Sequence, residues 1–134
     1  MTMMENKELA KIYRNYIECL NNHAIDDLST FVHDELFYND KKISRREYEM
    51  MLMNDIETFP DLKFNIDVLV VNENYVASRI LFNCTPVKDF HNFKSNGNPI
   101  SFSENVFYKF ENSRISQVWS LLDLEKIGLQ LDHK

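Results

Sequence analysis

Between Ile100 and Leu131 the chain reads ISFSENVFYKFENSRISQVWSLLDLEKIGLQL, two long alternating runs joined by a short turn and followed by a helical tail. Alternation with period two is the pattern of a half-buried strand, so the two runs predict an antiparallel hairpin around Glu111-Asn112-Ser113. Asn112 is the turn residue best able to take a left-handed backbone. In the first run Phe102, Glu104, Val106, Tyr108 and Phe110 share a face, which leaves Glu104 as one charge in an apolar row. In the second run Ile115, Gln117, Trp119, Leu121 and Asp123 share one face, while Ser116, Val118, Ser120, Leu122 and Leu124 share the other. The parity places Asp123 beside the single tryptophan and predicts that this face looks inward.

Upstream, the pattern is first helical. Leu9, Ile12, Tyr13, Tyr16, Ile17 and Leu20 recur at three- and four-residue spacing behind a capping-box pattern at Thr2-Met3-Met4-Glu5. Leu28, Phe31 and Val32 suggest a short second helix, and Glu35 to Asn39 a brief strand. Ser44-Arg45-Arg46-Glu47 opens a third helix through Tyr48, Met51, Leu52 and Ile56, which stops at Phe59-Pro60. From Leu62 the period changes to two, with Leu62, Phe64, Ile66, Val68 and Val70 alternating, and Tyr75 to Thr85 returns as a second strand. Pro86 to Pro99 reads as an irregular connection that covers or lines a cavity mouth. Helices first and strands afterwards predict an α+β fold, a curved antiparallel sheet covered by three N-terminal helices, as one domain over residues 1–134.

Composition excludes several functions. A net charge of −6 without a basic run offers no footprint for nucleic acid or an anionic membrane. No apolar run approaches the ~20 residues of a membrane span, and no signal-peptide pattern opens the sequence, so the expected location is the cytoplasm. Cys19 and Cys84 are expected as reduced thiols, and the sequon Asn83-Cys84-Thr85 as chance. The histidines at 23, 33, 91 and 133 have no metal-ligand spacing, and a chain with only two glycines has no phosphate loop. Neither a metal nor a cofactor is expected. Ten Phe and six Tyr provide bulky groups for a core or a pocket.

The element order, together with Phe59-Pro60-Asp61-Leu62, Val76-Ala77-Ser78-Arg79, Phe107-Tyr108-Lys109-Phe110-Glu111, Ile115, Trp119, Asp123 and Gly128-Leu129-Gln130-Leu131, resembles the nuclear-transport-factor-2-like cone fold. Within that superfamily it resembles the SnoaL-like polyketide cyclase group over nearly the whole chain. The resemblance implies a cone-shaped pocket and makes Asp123 the acid/base of an intramolecular aldol closure. It argues against epoxide hydrolysis, whose Asp-Arg-Asp set would keep Arg79 but meets Leu81 and, at the other position, Leu121.

The candidate residues each carry two readings. Asp123 is a desolvated pocket acid or the N-cap of the tail helix, or both. Glu104 is a second pocket carboxylate or a solvated charge. Arg79 anchors a ligand oxygen or neutralises Glu104 or Asp123. Asn39 bonds a ligand or shapes a turn, His91 reaches the cavity mouth or stays at the surface, and Trp119 and Phe37 supply wall. Two functions follow. One is a cofactor-independent isomerase, cyclase or dehydratase acting on a small hydrophobic carbonyl compound; the other is a non-catalytic dimeric binding or scaffold domain. In both, the apolar Val118, Ser120, Leu122 and Leu124 side of the sheet is expected to form a homodimer.

Overall fold

The computed structural model describes residues 3–132, with side chains from Glu5 onward. The capping box expected at Thr2 and the position of His133 lie outside the described residues.

Helix α1 (Met3–Asn21) follows the apolar spacing. Leu9, Tyr13, Tyr16, Ile17 and Leu20 are buried along one stripe. The next segment, Ile25–Thr30, is a 3-10 helix that buries Ile25 and Leu28. Strand β1 (Val32–Tyr38) starts earlier than the sequence pattern predicts, and it is paired with a short β2 (Lys41–Ser44) that the pattern does not reveal. The two-residue link Asn39-Asp40 has φ of 47° and 69°, the left-handed pair that suits a tight hairpin and that Asn and Asp tolerate. Helix α2 (Arg45–Thr58) opens with a full capping box: the Glu47 amide donates to Ser44 Oγ at 3.0 Å, and the Ser44 amide to Glu47 Oε1 at 3.2 Å.

Strands β3 (Asn65–Asn72), β4 (Tyr75–Cys84), β5 (Ile100–Glu111) and β6 (Arg114–Leu122) complete a six-stranded curved sheet, ordered β2-β1-β6-β5-β4-β3. It is mixed: β1 runs parallel to β6 and every other pair is antiparallel. The helices lie against its concave face, and α3 (Leu124–Gly128) closes the chain. No described helix is long and apolar enough to cross a membrane.

Two bulges decide which residues face inward. In β6 the register steps from Phe110↔Ile115 to Lys109↔Gln117, leaving Ser116 as the extra residue. An extra residue shifts the alternation by one, and every later side chain changes face. Ile115 is buried, but beyond the bulge it is Val118, Ser120 and Leu122 that point to the core side, with Trp119 and Leu121 outside. The inward face expected from continuous alternation is thus corrected, and so is the expected dimer surface, since Val118 is 2% exposed. The same happens in β3, where Ile66 pairs with Ile80 and Val68 with Arg79, leaving Asp67 extra. Val68 and Val70 stand outside, whereas Leu69 and Val71 pack on the core.

Candidate functional site

Between the concave face of the sheet and the helices lies a cavity of about 630 Å³. One wall is phenylalanine. Phe82 stacks on Phe102 at 5.0 Å, Phe64 meets Phe82 edge-on at 5.1 Å, and Phe59 meets Phe90 at 4.9 Å. Another part of the lining is phenolic: Tyr16, Tyr38, Tyr48 and Tyr108 border the cavity, and the Tyr16 and Tyr48 hydroxyls are bonded at 2.6 Å. His91, with φ of 46°, lies with Lys88 and Asp89 in the irregular connection along the same cavity. Lys88 is already engaged, donating to Asn54 Oδ1 at 3.0 Å and pairing with Glu57 at 3.5 Å.

Three carboxyls border this space: Asp89, whose Oδ1 accepts from the Ser95 amide, and two whose acidity burial lowers. Glu104 reaches it because the β5 alternation puts it between buried Phe102 and Val106; its Oε2 accepts a hydrogen bond from Ser120 Oγ across the β5–β6 pair. Burial holds its acidity below that of an ordinary glutamate, and the Ser120 bond opposes the shift. Asp55 reaches it from α2, in the stripe of Tyr48, Leu52 and Phe59. Burial first, and the nearby Glu104 charge second, push its pKa up to about 7. Protein surrounds most of Asp55, yet much of its surface stays accessible because it borders an open chamber. Tyr38, Tyr48 and Tyr108 also titrate above the usual phenol range, mainly from burial, so their hydroxyls remain donors at neutral pH.

A SnoaL-like polyketide cyclase family profile matches residues 10–131. The chain belongs to this family. A SnoaL-like polyketide cyclase from Agrobacterium tumefaciens strain C58 is 39% identical, with TM-score 0.88 over 91% of this chain and 96% of that one. TsrD from Streptomyces laurentii (17% identity, TM-score 0.81, 97% and 96% covered) and IdmH from Streptomyces antibioticus (15%, 0.80, 91% and 96%) share the fold. No curated protein matches the sequence.

In this SnoaL-like protein Glu104, Asn39 and His91 border the cavity, whereas Asp123, Arg79, Trp119 and Phe37 do not. Asp123 sits at the start of α3, where its Oδ1 accepts from the Lys126 amide at 3.1 Å; of its two sequence readings, the structure places it in the cap. Arg79 lies on the convex face and donates to Asp67 Oδ2 at 2.6 Å, so the expected partners Glu104 and Asp123 are replaced by the bulged residue of β3. Trp119 is turned to the same outer face by the β6 bulge, its indole N–H donating to Asp40 Oδ1 at 3.0 Å. Phe37 is 44% exposed in an outer groove with His33 and Gln117. Asn39 spends its side chain on the β6 backbone.

Asp55, Ser120 and Tyr38 are among the polar cavity residues that sequence reasoning missed. A signal existed for Asp55. Positions 48, 52, 55 and 59 follow helical spacing, and an acid within that apolar stripe must be paid for by a partner or a pocket. Ser120 carried none, because its inward direction depends on the bulge.

Proposed function

We propose that the chain binds a small, uncharged hydrophobic carbonyl compound in this cavity and catalyses cofactor-independent proton transfer upon it. The observation that carries the reading is the pair of cavity carboxyls, Asp55 and Glu104, with acidities lowered by burial beside a phenolic wall. Two groups of this kind divide the labour. The Asp55 carboxylate, titrating near neutrality, removes a proton from the carbon next to the carbonyl, while protonated Glu104 or a cavity phenol donates a hydrogen bond to the oxygen as charge develops there. Protonated Asp55 then returns that proton to another carbon of the conjugated enolate, which is isomerisation, or the enolate carbon attacks a second carbonyl within the same molecule and the proton goes to the oxygen of that carbonyl, which is ring closure. Asp123 has no part in this scheme.

Charge selects the ligand class. Among the described residues, Lys88 is the one lysine or arginine that lines the cavity, and it is engaged by Glu57 and Asn54, whereas Asp55, Asp89 and Glu104 are all acids. An anionic substrate would meet like charge from these carboxylates.

The test is solvent-deuterium exchange at the α-carbon of hydrophobic aryl ketones. Asp55→Asn is expected to lower exchange about 10²-fold or more while leaving binding intact. Exchange unchanged by the substitution, with ketone binding retained, would instead support a non-catalytic binding domain.

We propose further that the chain forms a homodimer through the convex face, where Val68, Val70, Leu81, Phe107 and Leu121 are exposed on adjacent strands β3, β4, β5 and β6.

A further inference from the structure

Strand β1 ends at Tyr38, opposite Val118, and the chain turns away just where β6 goes on to Ser120. Without a neighbour, the Ser120 amide and carbonyl on that side would have no strand partner. Asn39 supplies one. Its backbone N–H donates to Val118 O at 2.9 Å, its Oδ1 accepts from the Ser120 N–H at 2.9 Å, and its Nδ2 donates to Ser120 O at 3.4 Å. The side-chain amide thus takes the place of the missing peptide. This geometry requires the left-handed backbone at residue 39, which asparagine accepts more readily than most residues. On the other side of the same residue, Ser120 Oγ bonds Glu104 Oε2 inside the cavity.

From this chain of contacts we infer that Asn39 is a positioning residue for the cavity carboxyl: it extends the sheet by one amide, and so aims the Ser120 hydroxyl at Glu104. The inference rests on the cavity being the functional site, but it concerns the carboxyl itself. Its neighbours there are Tyr13 and Tyr16 from α1, Tyr38 from β1, Tyr48 and Asp55 from α2, Tyr108 from β5 and Ser120 from β6. Of these, Ser120 is the one that the Asn39 side chain bonds, and Tyr38, the residue before Asn39, meets the Ser120 side chain as well.

The experiment is a carbon-13 carboxyl NMR titration of Glu104 in the full chain, assigned with Glu104→Gln. Asn39→Gly suits the positive φ and removes only the clasp. It is expected to move the Glu104 midpoint upward, in the same direction as Ser120→Ala, with no further shift in the double variant. Ser120→Thr, which keeps a hydroxyl, should restore the wild-type midpoint. Asp40→Gly, which also suits a positive φ, loosens the same turn by releasing Trp119 but leaves Ser120 clasped, so it should leave the midpoint in place. A wild-type midpoint in Asn39→Gly, or an equal shift in Asp40→Gly, overturns the inference. If Asn39→Gly does not fold, the wild-type chain decides: the Asn39 side-chain amide resonances must follow the Glu104 titration, and resonances that stay flat overturn it. A shifted midpoint in a chain without ketone exchange would sink the proposed reaction and leave this inference standing.

Discussion

Asp123 Oδ1 accepts the Lys126 amide at 3.1 Å, which closes the first turn of a five-residue helix that buries Ile127. A short helix has little else to hold its free N–H groups, so the cap has a measurable share in it. Asp123→Ala is expected to cost about 1 kcal/mol and lower the melting temperature by a few degrees, while Asp123→Asn, which still caps, should change it little. Neither should alter ligand binding. Thermal unfolding and a binding titration on the same variants check both halves.

Stability should fall as pH rises through the range in which the cavity carboxyls lose their protons. Asp55 and Glu104 have folded pKa values raised above those of the unfolded chain, so the native state holds more protons between about pH 4 and 7. Stability is then fullest below the unfolded values and declines towards neutrality. Asp55→Asn and Glu104→Gln remove the charge and should flatten that decline, raising the melting temperature at pH 8 while leaving it nearly unchanged near pH 3. A melting temperature that rises with pH in the wild type, or variants with the same slope as wild type, would contradict this.

The Tyr16–Tyr48 hydroxyl pair joins α1 to α2 within the buried phenolic cluster. Tyr48→Phe is expected to cost about 1 to 3 kcal/mol, because it leaves the Tyr16 hydroxyl without this partner. Tyr16→Phe with Tyr48→Phe should cost less than the two single changes added together, since neither hydroxyl is then left behind. Urea denaturation of the four proteins closes the cycle.

Dimerisation through the convex face predicts that charge there separates the copies without unfolding them. Leu121 and Phe107 are 71% and 55% exposed, so Leu121→Glu and Phe107→Glu remove little from the core. Sedimentation should show a dimer for the wild type and a monomer for the double variant, with ligand binding retained. A wild-type monomer at high concentration would end this proposal.

Much of the architecture was legible in residue spacing alone. The α1 stripe from Leu9 to Leu20, the Ser44–Glu47 capping box, the change of period after Leu62 and the final hairpin all appear where local pattern places them, because backbone period and capping are properties of neighbouring residues. Glu104 among its apolar neighbours was legible for the same reason: no bulge separates it from Phe102 and Val106. What tertiary structure alone decided was direction. A single unpaired residue at Ser116, and another at Asp67, reversed the faces of β6 and β3, sending Trp119, Val68 and Val70 outward and Ser120 inward. Such a bulge is set by how a strand must bend to follow its neighbours across a curved sheet, and alternation in one strand's own sequence does not record it. The meeting of Asp55 with Glu104 belongs to the same class, since it depends on how α2 docks across the sheet.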